Sequence, residues 1–287
     1  MNTINDVYAY LDKNQELVIS STDLFPSFDD LYDRKSNFGK CMLNEKPRWK
    51  QKCEYIKTVR FVGIVKPLTC QAWFADCKNL VQIKDIEHLD TSQCTDMSFM
   101  FICCENLTTL DLNHFDTSHV KNMQHMFQNC RKLKTLIIDS WNTKNVEDMK
   151  FLLNSCHQLT DLDISNWNTS NVKDIAFLFA ECANLKTLNF KKWNTHHVKN
   201  MAFVFSDCEK LINLDLSTWN TKNVENMHAM FADCHRLTNL NINNFCLDNV
   251  KKFDYILSGC EALTTITCSQ SVKQILKSAI QANVIIP

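Results

Sequence analysis

Fifteen cysteines, nine histidines and ten methionines are the side chains of this 287-residue sequence that could bind a metal or act as nucleophiles. Their spacing points elsewhere. Cys104, Cys130, Cys156, Cys182, Cys208, Cys234 and Cys260 stand 26 residues apart, in register with Met and Phe positions where a small buried hydrophobe fits. No Cys-x-x-Cys pair occurs, which argues against a zinc knuckle or ribbon. Reduced core thiols are expected rather than a disulfide framework, and so many unpaired thiols lean the chain toward a reducing interior. Cys103 falls outside the periodic column and is expected to be exposed and oxidisable.

The other candidates for chemistry read similarly. His196 and His197 are adjacent, and His114, His119 and His125 lack an HExxH spacing, so no metal ligands are assigned. Met97, Met123, Met149, Met201 and Met227 follow the array period and read as core rather than as a soft-metal stripe. Three glycines cannot build a phosphate loop, and no Gly-x-Ser-x-Gly elbow is present. No thiol has an identifiable base and orienting group, so no catalytic residue or cofactor is expected. The stretch Lys46-Pro47-Arg48-Trp49-Lys50-Gln51-Lys52 is basic with an aromatic inside it, but it reads as a cap surface with Trp49 packed inward rather than a nucleic-acid track. A net charge of −1 gives no field favouring nucleic acid or an acidic membrane. No run approaches the roughly 18 apolar residues of a membrane span.

The elements that carry these residues follow from the period. Thr91, Thr117, Thr143, Thr169, Thr195 and Thr221 share the 26-residue step, the mark of a solenoid or related array. A leucine column runs Leu107, Leu133, Leu159, Leu185, Leu211, Leu237, Leu263, and an aromatic column runs Phe115, Trp141, Trp167, Trp193, Trp219, Phe245. Leu110 and Leu112 are two apart, as on one face of a strand. Val120, Met123, Met126, Phe127 and Cys130 follow the face of a helix of about three turns. Asp116-Thr117-Ser118 between them offers oxygens for a helix start. The expected fold is an α/β solenoid with a parallel strand sheet on one side, short helices on the other, and terminal caps. Nine strand segments are expected, starting near 56, 80, 107, 133, 159, 185, 211, 237 and 263. With so few glycines, Asn and Asp must take the tight-turn positions.

The boundaries follow: a helical cap over 1–55, an array over 56–268 that is degenerate at 56–89 and regular at 90–268, and a cap over 269–287. Ile4, Val7, Tyr8 and Leu11 are spaced as a helix face, and Phe28, Leu31 and Tyr32 suggest a second helix. Val272, Ile275, Leu276, Ala279 and Ile280 form another helix face, with Val284-Ile285-Ile286 as a last strand.

Leu-x-x-Leu-x-Leu, followed by Trp219, Asn220, Thr221, Val224, Met227, Met230, Phe231, Cys234, Leu237 and Leu240, resembles the BspA-like surface-protein class of leucine-rich repeats. The resemblance covers 90–268 strongly and 56–89 weakly. It implies a right-handed curved solenoid and a binding role, often at a surface against host or matrix proteins. It carries no catalytic residue. Residues 1–20 depart from a surface protein, lacking a basic start, an apolar run and a small-residue cleavage site, so a cytoplasmic location is expected over surface display. Lys outnumbers Arg 26 to 5, a composition associated with AT-rich genomes such as those of symbionts, parasites and large DNA viruses.

Two surfaces remain for a partner. The open strand face carries one row, Asp111, Ile137, Asp163, Asn189, Asp215, Asn241 and Thr267, and a second, Asn113, Asp139, Ser165, Lys191, Ser217 and Asn243. The second is an aromatic row, Phe99, His125, Phe151, Phe177, Phe203, Ala229, Tyr255, expected to pack between adjacent helices. The function expected is a non-enzymatic protein-interaction scaffold, intracellular or virion-associated, with self-association open. The alternatives are a BspA-like adhesin and an enzyme with an unrecognised N-terminal module.

Overall fold

The computed structural model describes residues 6–22, 27–33, 35–42, 47–276 and 285. The repeats stack as coils, and each coil places its leucine pair inside. Strands β4 (Thr58–Val62) and β5 (Gln82–Lys84) pair in parallel, as do β6 (Thr109–Asp111) and β7 (Thr135–Ile137). Farther along, β8 (Asn213–Asp215), β9 (Asn239–Ile242) and β10 (Thr265–Cys268) form a third parallel group. Leu110 faces Leu136, and Leu214 faces Leu240, so each apolar column is continuous through the core. The solenoid of parallel strands expected from the period is present.

The arm opposite the strands differs from expectation. It is a succession of tight turns rather than a helix of about three turns. The amides of Met123, His125, Phe127 and Asn129 donate to the carbonyls of Asp148, Lys150, Leu152 and Asn154 in the next coil. The amides between them bond within the coil, Met126 to Met123, Gln128 to His125 and Cys130 to Phe127. His125 and Asn129 have φ of 58° and 60°, a left-handed conformation that a right-handed helix cannot contain. Turns advancing three or four residues bury the same columns that a helix would, so the apolar spacing could not separate the two.

A chain with three glycines turns its corners with Asn and Asp. Asp116 Oδ1 accepts the Ser118 amide at 2.9 Å, Asn168 that of Ser170 at 3.0 Å, and Asp148 that of Lys150 at 2.9 Å. Each is an Asx turn, in which the side chain stands in for a backbone acceptor. The periodic threonines join the coils. Thr169 Oγ1 donates to the Asn194 carbonyl at 3.0 Å and accepts the Asn194 amide at 2.9 Å. Thr143, Thr195 and Thr221 donate in the same way to Asn168, Asn220 and Cys246.

The cysteine column has a similar role. Cys130, Cys156, Cys182 and Cys208 thiols donate to the carbonyls of Phe101, Phe127, Leu153 and Phe179 in the preceding coil, at 3.2 to 3.3 Å. The fourteen cysteines from Cys53 to Cys268 are free. Burial pushes the Cys182 thiol up to about 12 and raises Cys130, Cys156 and Cys208 as well, so these sulfurs stay protonated donors. The methionine column is fully buried, as expected.

Two of the nine expected strand segments do not form ladders. Residues 161–163 and 187–189 run in the strand position without regular pairing. The local difference is Phe190, which stands where other coils carry Leu112, Ile138, Ile164, Leu216 and Ile242. Its ring packs edge-on against Trp193 and Trp219, at 4.9 and 5.1 Å, a larger body than the aliphatic residue it replaces.

The N-terminal cap is built mainly of strands, with 3₁₀ segments at Phe28–Asp30 and Arg48–Tyr55, which corrects the helical reading of 1–55. β1 (Asp6–Leu11) pairs antiparallel with both β2 (Glu16–Ser20) and β3 (Asn37–Met42), and β2 pairs in parallel with β4. Val7, Ala9 and Leu11 are buried, so the two-residue alternation prevails over the helical spacing of Val7, Tyr8 and Leu11. Ile4 lies outside the described residues. The second expected helix is one 3₁₀ turn, Phe28–Asp30, and Leu31 bridges Asp12. Trp49 is packed inward as expected, its Nε1 donating to the Trp73 carbonyl at 2.6 Å. At the other end α1 (Gln270–Leu276) buries Val272 and Leu276, and Ile285 bridges Thr265. Ala279, Ile280, Val284 and Ile286 lie outside the described residues.

Candidate binding surface on the strands

The outward rows of the strands are set by local turns. Asp111, Asp163, Asn189, Asp215 and Asn241 each accept the amide two residues on, from Asn113, Ser165, Lys191, Ser217 and Asn243, at 2.9 to 3.2 Å. The residues selected as a binding ladder therefore also form the corner that ends each strand. Asn113 donates through Nδ2 to Asp139 Oδ1 at 2.7 Å and accepts the Ser140 amide at 3.2 Å, fixing Asp139 beside it. Hydrogen bonds from Ser165 hold the Asp163 carboxyl below its ordinary value. Ile137 interrupts the Asp/Asn row with a side chain that cannot make the turn bond, and it is 38% exposed.

A second outward row lies two residues earlier, at the strand period: Thr109, Thr135, Asp161, Thr187, Asn213 and Asn239. The alternation of Leu110 and Leu136 with their neighbours was the signal for it. Asn239 donates to Asn213 Oδ1 at 2.7 Å, so part of this row is joined across coils. A shallow depression of about 330 Å³ opens on the face, lined by Leu188, Asn213, Leu214, Asp215, Asn239 and Asn241 among others.

Charge is unevenly placed on this face. At its N-terminal end Glu16 accepts from Arg60 at 2.8 Å and from Lys84 at 2.6 Å. Burial alone would raise Glu16, but the hydrogen bonds from Lys84 and Arg60 outweigh it and its carboxyl lies below the ordinary value. Beyond that cluster, from 109 onward, the outward rows carry Asp111, Asp139, Asp161, Asp163 and Asp215 against one cation, Lys191.

The aromatic row on the opposite arm is a stack. Phe99, His125, Phe151, Phe177 and Phe203 lie ring on ring at 4.3 to 4.7 Å, within 14° of parallel, and all are half-buried. Each has φ between 56° and 59°. The other left-handed corner of these coils takes Cys103, Asn129, Ser155, Glu181 and Asp207. A side chain there costs about 1–2 kcal/mol, which stacked rings offset at about 0.5–1.5 kcal/mol per pair. At Ala229 the stack breaks, and His228 lies edge-on between Phe203 and Tyr255.

Coils of 26 residues with paired apolar residues inside, parallel strands on one side and inter-coil ladders define a leucine-rich-repeat solenoid. Two overlapping matches, to residues 68–186 and 154–271, place most of the chain in one protein family. The chain belongs to the family described as "Mycoplasma protein of unknown function, DUF285". No curated protein matches it. Among solved structures it is similar to a leucine-rich-repeat protein of T. pallidum, at 14% identity over 96% of this chain and 93% of that one, with a TM-score of 0.36. A leucine-rich cell surface protein of Faecalibacterium prausnitzii is 15% identical over 93% and 94% of the two chains, with a TM-score of 0.26. An internalin of Listeria monocytogenes is 11% identical over 95% and 79%, with a TM-score of 0.32.

Proposed function

We propose that this chain is a non-enzymatic protein-interaction scaffold that presents its open strand face to a protein partner in a reducing compartment. The observation that carries the binding role is the face itself. Among the described residues it is exposed, and its polar side chains are held at fixed spacing by turn bonds. Side chains fixed before binding lose little freedom on contact, so small polar groups suffice for recognition. The buried thiols favour a reducing compartment, because each serves as a hydrogen-bond donor only while it remains a thiol.

Capture from a lysate of the source cells tests the binding role. The wild-type chain is compared with a Thr135→Arg/Thr187→Arg variant, which covers the strand face, and with Lys121→Glu on the opposite arm. A partner retained by Lys121→Glu and lost by the strand-face variant is the expected result. A partner retained by the strand-face variant overturns the assignment. Acid quenching followed by alkylation in denaturant reads the compartment: fifteen alkylated cysteines are expected, and disulfides in the native pool would overturn it.

A further inference from the structure

We infer that the first regular coils of the strand face dock a basic, extended segment of a protein partner, one rich in Lys or Arg. This rests on the strand face being the binding surface and adds the chemistry of what it binds.

The acidic residues of the face are concentrated. Asp111, Asp139, Asp161 and Asp163 occupy three consecutive coils, all exposed, while the whole chain has a net charge of only −1. Arg60 and Lys84 in the preceding coils both pair with Glu16, leaving one net positive charge there against the four carboxylates. Lys134 is exposed at the start of the middle strand. The carboxylates are also held in place. Asp111 and Asp163 each spend one oxygen on a turn amide, Asp139 is bonded by Asn113, and Asp161 by Thr160. The bonds fix each carboxylate and leave a second oxygen for a ligand.

Ile137 is 38% exposed and pairs in register with Asp111, with Asp139 two residues further along the chain. An exposed aliphatic beside carboxylates suits the side chains of Lys and Arg, which combine an apolar stem with a charged head. A strand laid across the coils places side chains on one face about every 6.8 Å. Two or three basic side chains therefore span the roughly 10 Å between the first and third strands.

The array itself supplies a substitution that removes charge without removing the turn. Asn189 and Asn241 cap the same corner at 3.0 and 3.2 Å, so Asp111→Asn and Asp163→Asn keep the bond and lose only the charge. The test measures fluorescence anisotropy of the full chain with three labelled peptides of equal length. One alternates Lys with Ser, one Glu with Ser, and one Asn with Ser. The variants are Asp111→Asn/Asp161→Asn/Asp163→Asn, and Glu181→Gln/Asp207→Asn as a control for the acidic residues of the opposite arm.

The expected result is binding of the Lys peptide alone, weakened by added salt and weakened about tenfold or more by the triple strand-face variant. The opposite-arm variant should bind as wild type, and the urea midpoints of all three proteins should agree. Lys-peptide binding that survives the triple variant, or that is lost in the opposite-arm variant, overturns the inference. Binding of the Glu or Asn peptide in its place, removed by Thr135→Arg/Thr187→Arg, would overturn the basic partner and leave the scaffold standing. If no peptide binds while the strand-face variant still loses its captured partner, the partner chemistry is wrong and the scaffold again stands.

Discussion

Thr169→Val removes one hydroxyl from the ladder that joins the coils. Thr169 is fully buried, and its Oγ1 both donates to the Asn194 carbonyl and accepts the Asn194 amide. Valine fills nearly the same space, so the loss is one of hydrogen bonding rather than of packing. Two bonds at about 0.5–1.5 kcal/mol each give a cost of about 1–3 kcal/mol. Asn194 is itself exposed, so water can reach part of this site and holds the cost within that range. Thr169→Ser keeps both bonds and loses one buried methyl, about 0.8 kcal/mol. Urea denaturation followed by fluorescence of the buried Trp167 and Trp193 gives the two costs. Hydrogen exchange at the Asn194 amide locates the change: protection falls in Thr169→Val and is kept in Thr169→Ser. If serine costs as much as valine and Asn194 stays protected in both, the threonine column is held by packing, and the inter-coil hydroxyl ladder is not what joins the array.

Three further outcomes are expected. Gly259→Ala should destabilise by about 1–2 kcal/mol in the same melts, since φ is +70° there and a Cβ would meet Asp233 Oδ1 at 2.1 Å. Brief iodoacetamide treatment of the native protein at neutral pH should modify Cys103, Cys246 and Cys268, which are partly exposed, and spare Cys130, Cys182 and Cys208; peptide mass spectrometry reads the order. Glu16→Gln should loosen the N-terminal cap at pH 7, measured as the difference in melting temperature from wild type. The folded-state value of Glu16 is depressed, so its contribution is present above the ordinary 4.5 and is lost as pH falls through the depressed value. The gap between variant and wild type should therefore close in acid and persist at neutral pH.

The repeat was legible because its columns are chemical. Leu107, Cys130 and Met123 recur with their apolar character intact, and each is buried. Conformation was less legible. Turns of three or four residues and helical turns bury the same positions, so Val120, Met123, Met126 and Phe127 could not distinguish them. The deciding feature is the left-handed φ at His125 and Asn129, which a sequence usually announces with glycine and here hides under other residues. At the N-terminus Val7 and Leu11 fit both periods, and pairing with β2 and β3 decided for a strand. The outward position of the strand-face residues was legible from the alternation with the buried leucines, but the local bonds of their Asp and Asn side chains were not. Their turn bonds to Asn113, Ser165 and Ser217 depend on backbone geometry that residue type only suggests.

Site-specific photo-crosslinking in the source cells tests most directly whether the strand face is the binding surface. A benzophenone side chain is placed at Ile137 on the strand face, and in a second protein at Lys173 on the opposite arm. The account predicts a discrete protein adduct from position 137 and none from position 173. Adducts from position 173 alone would contradict it and move the binding surface to the arm of turns.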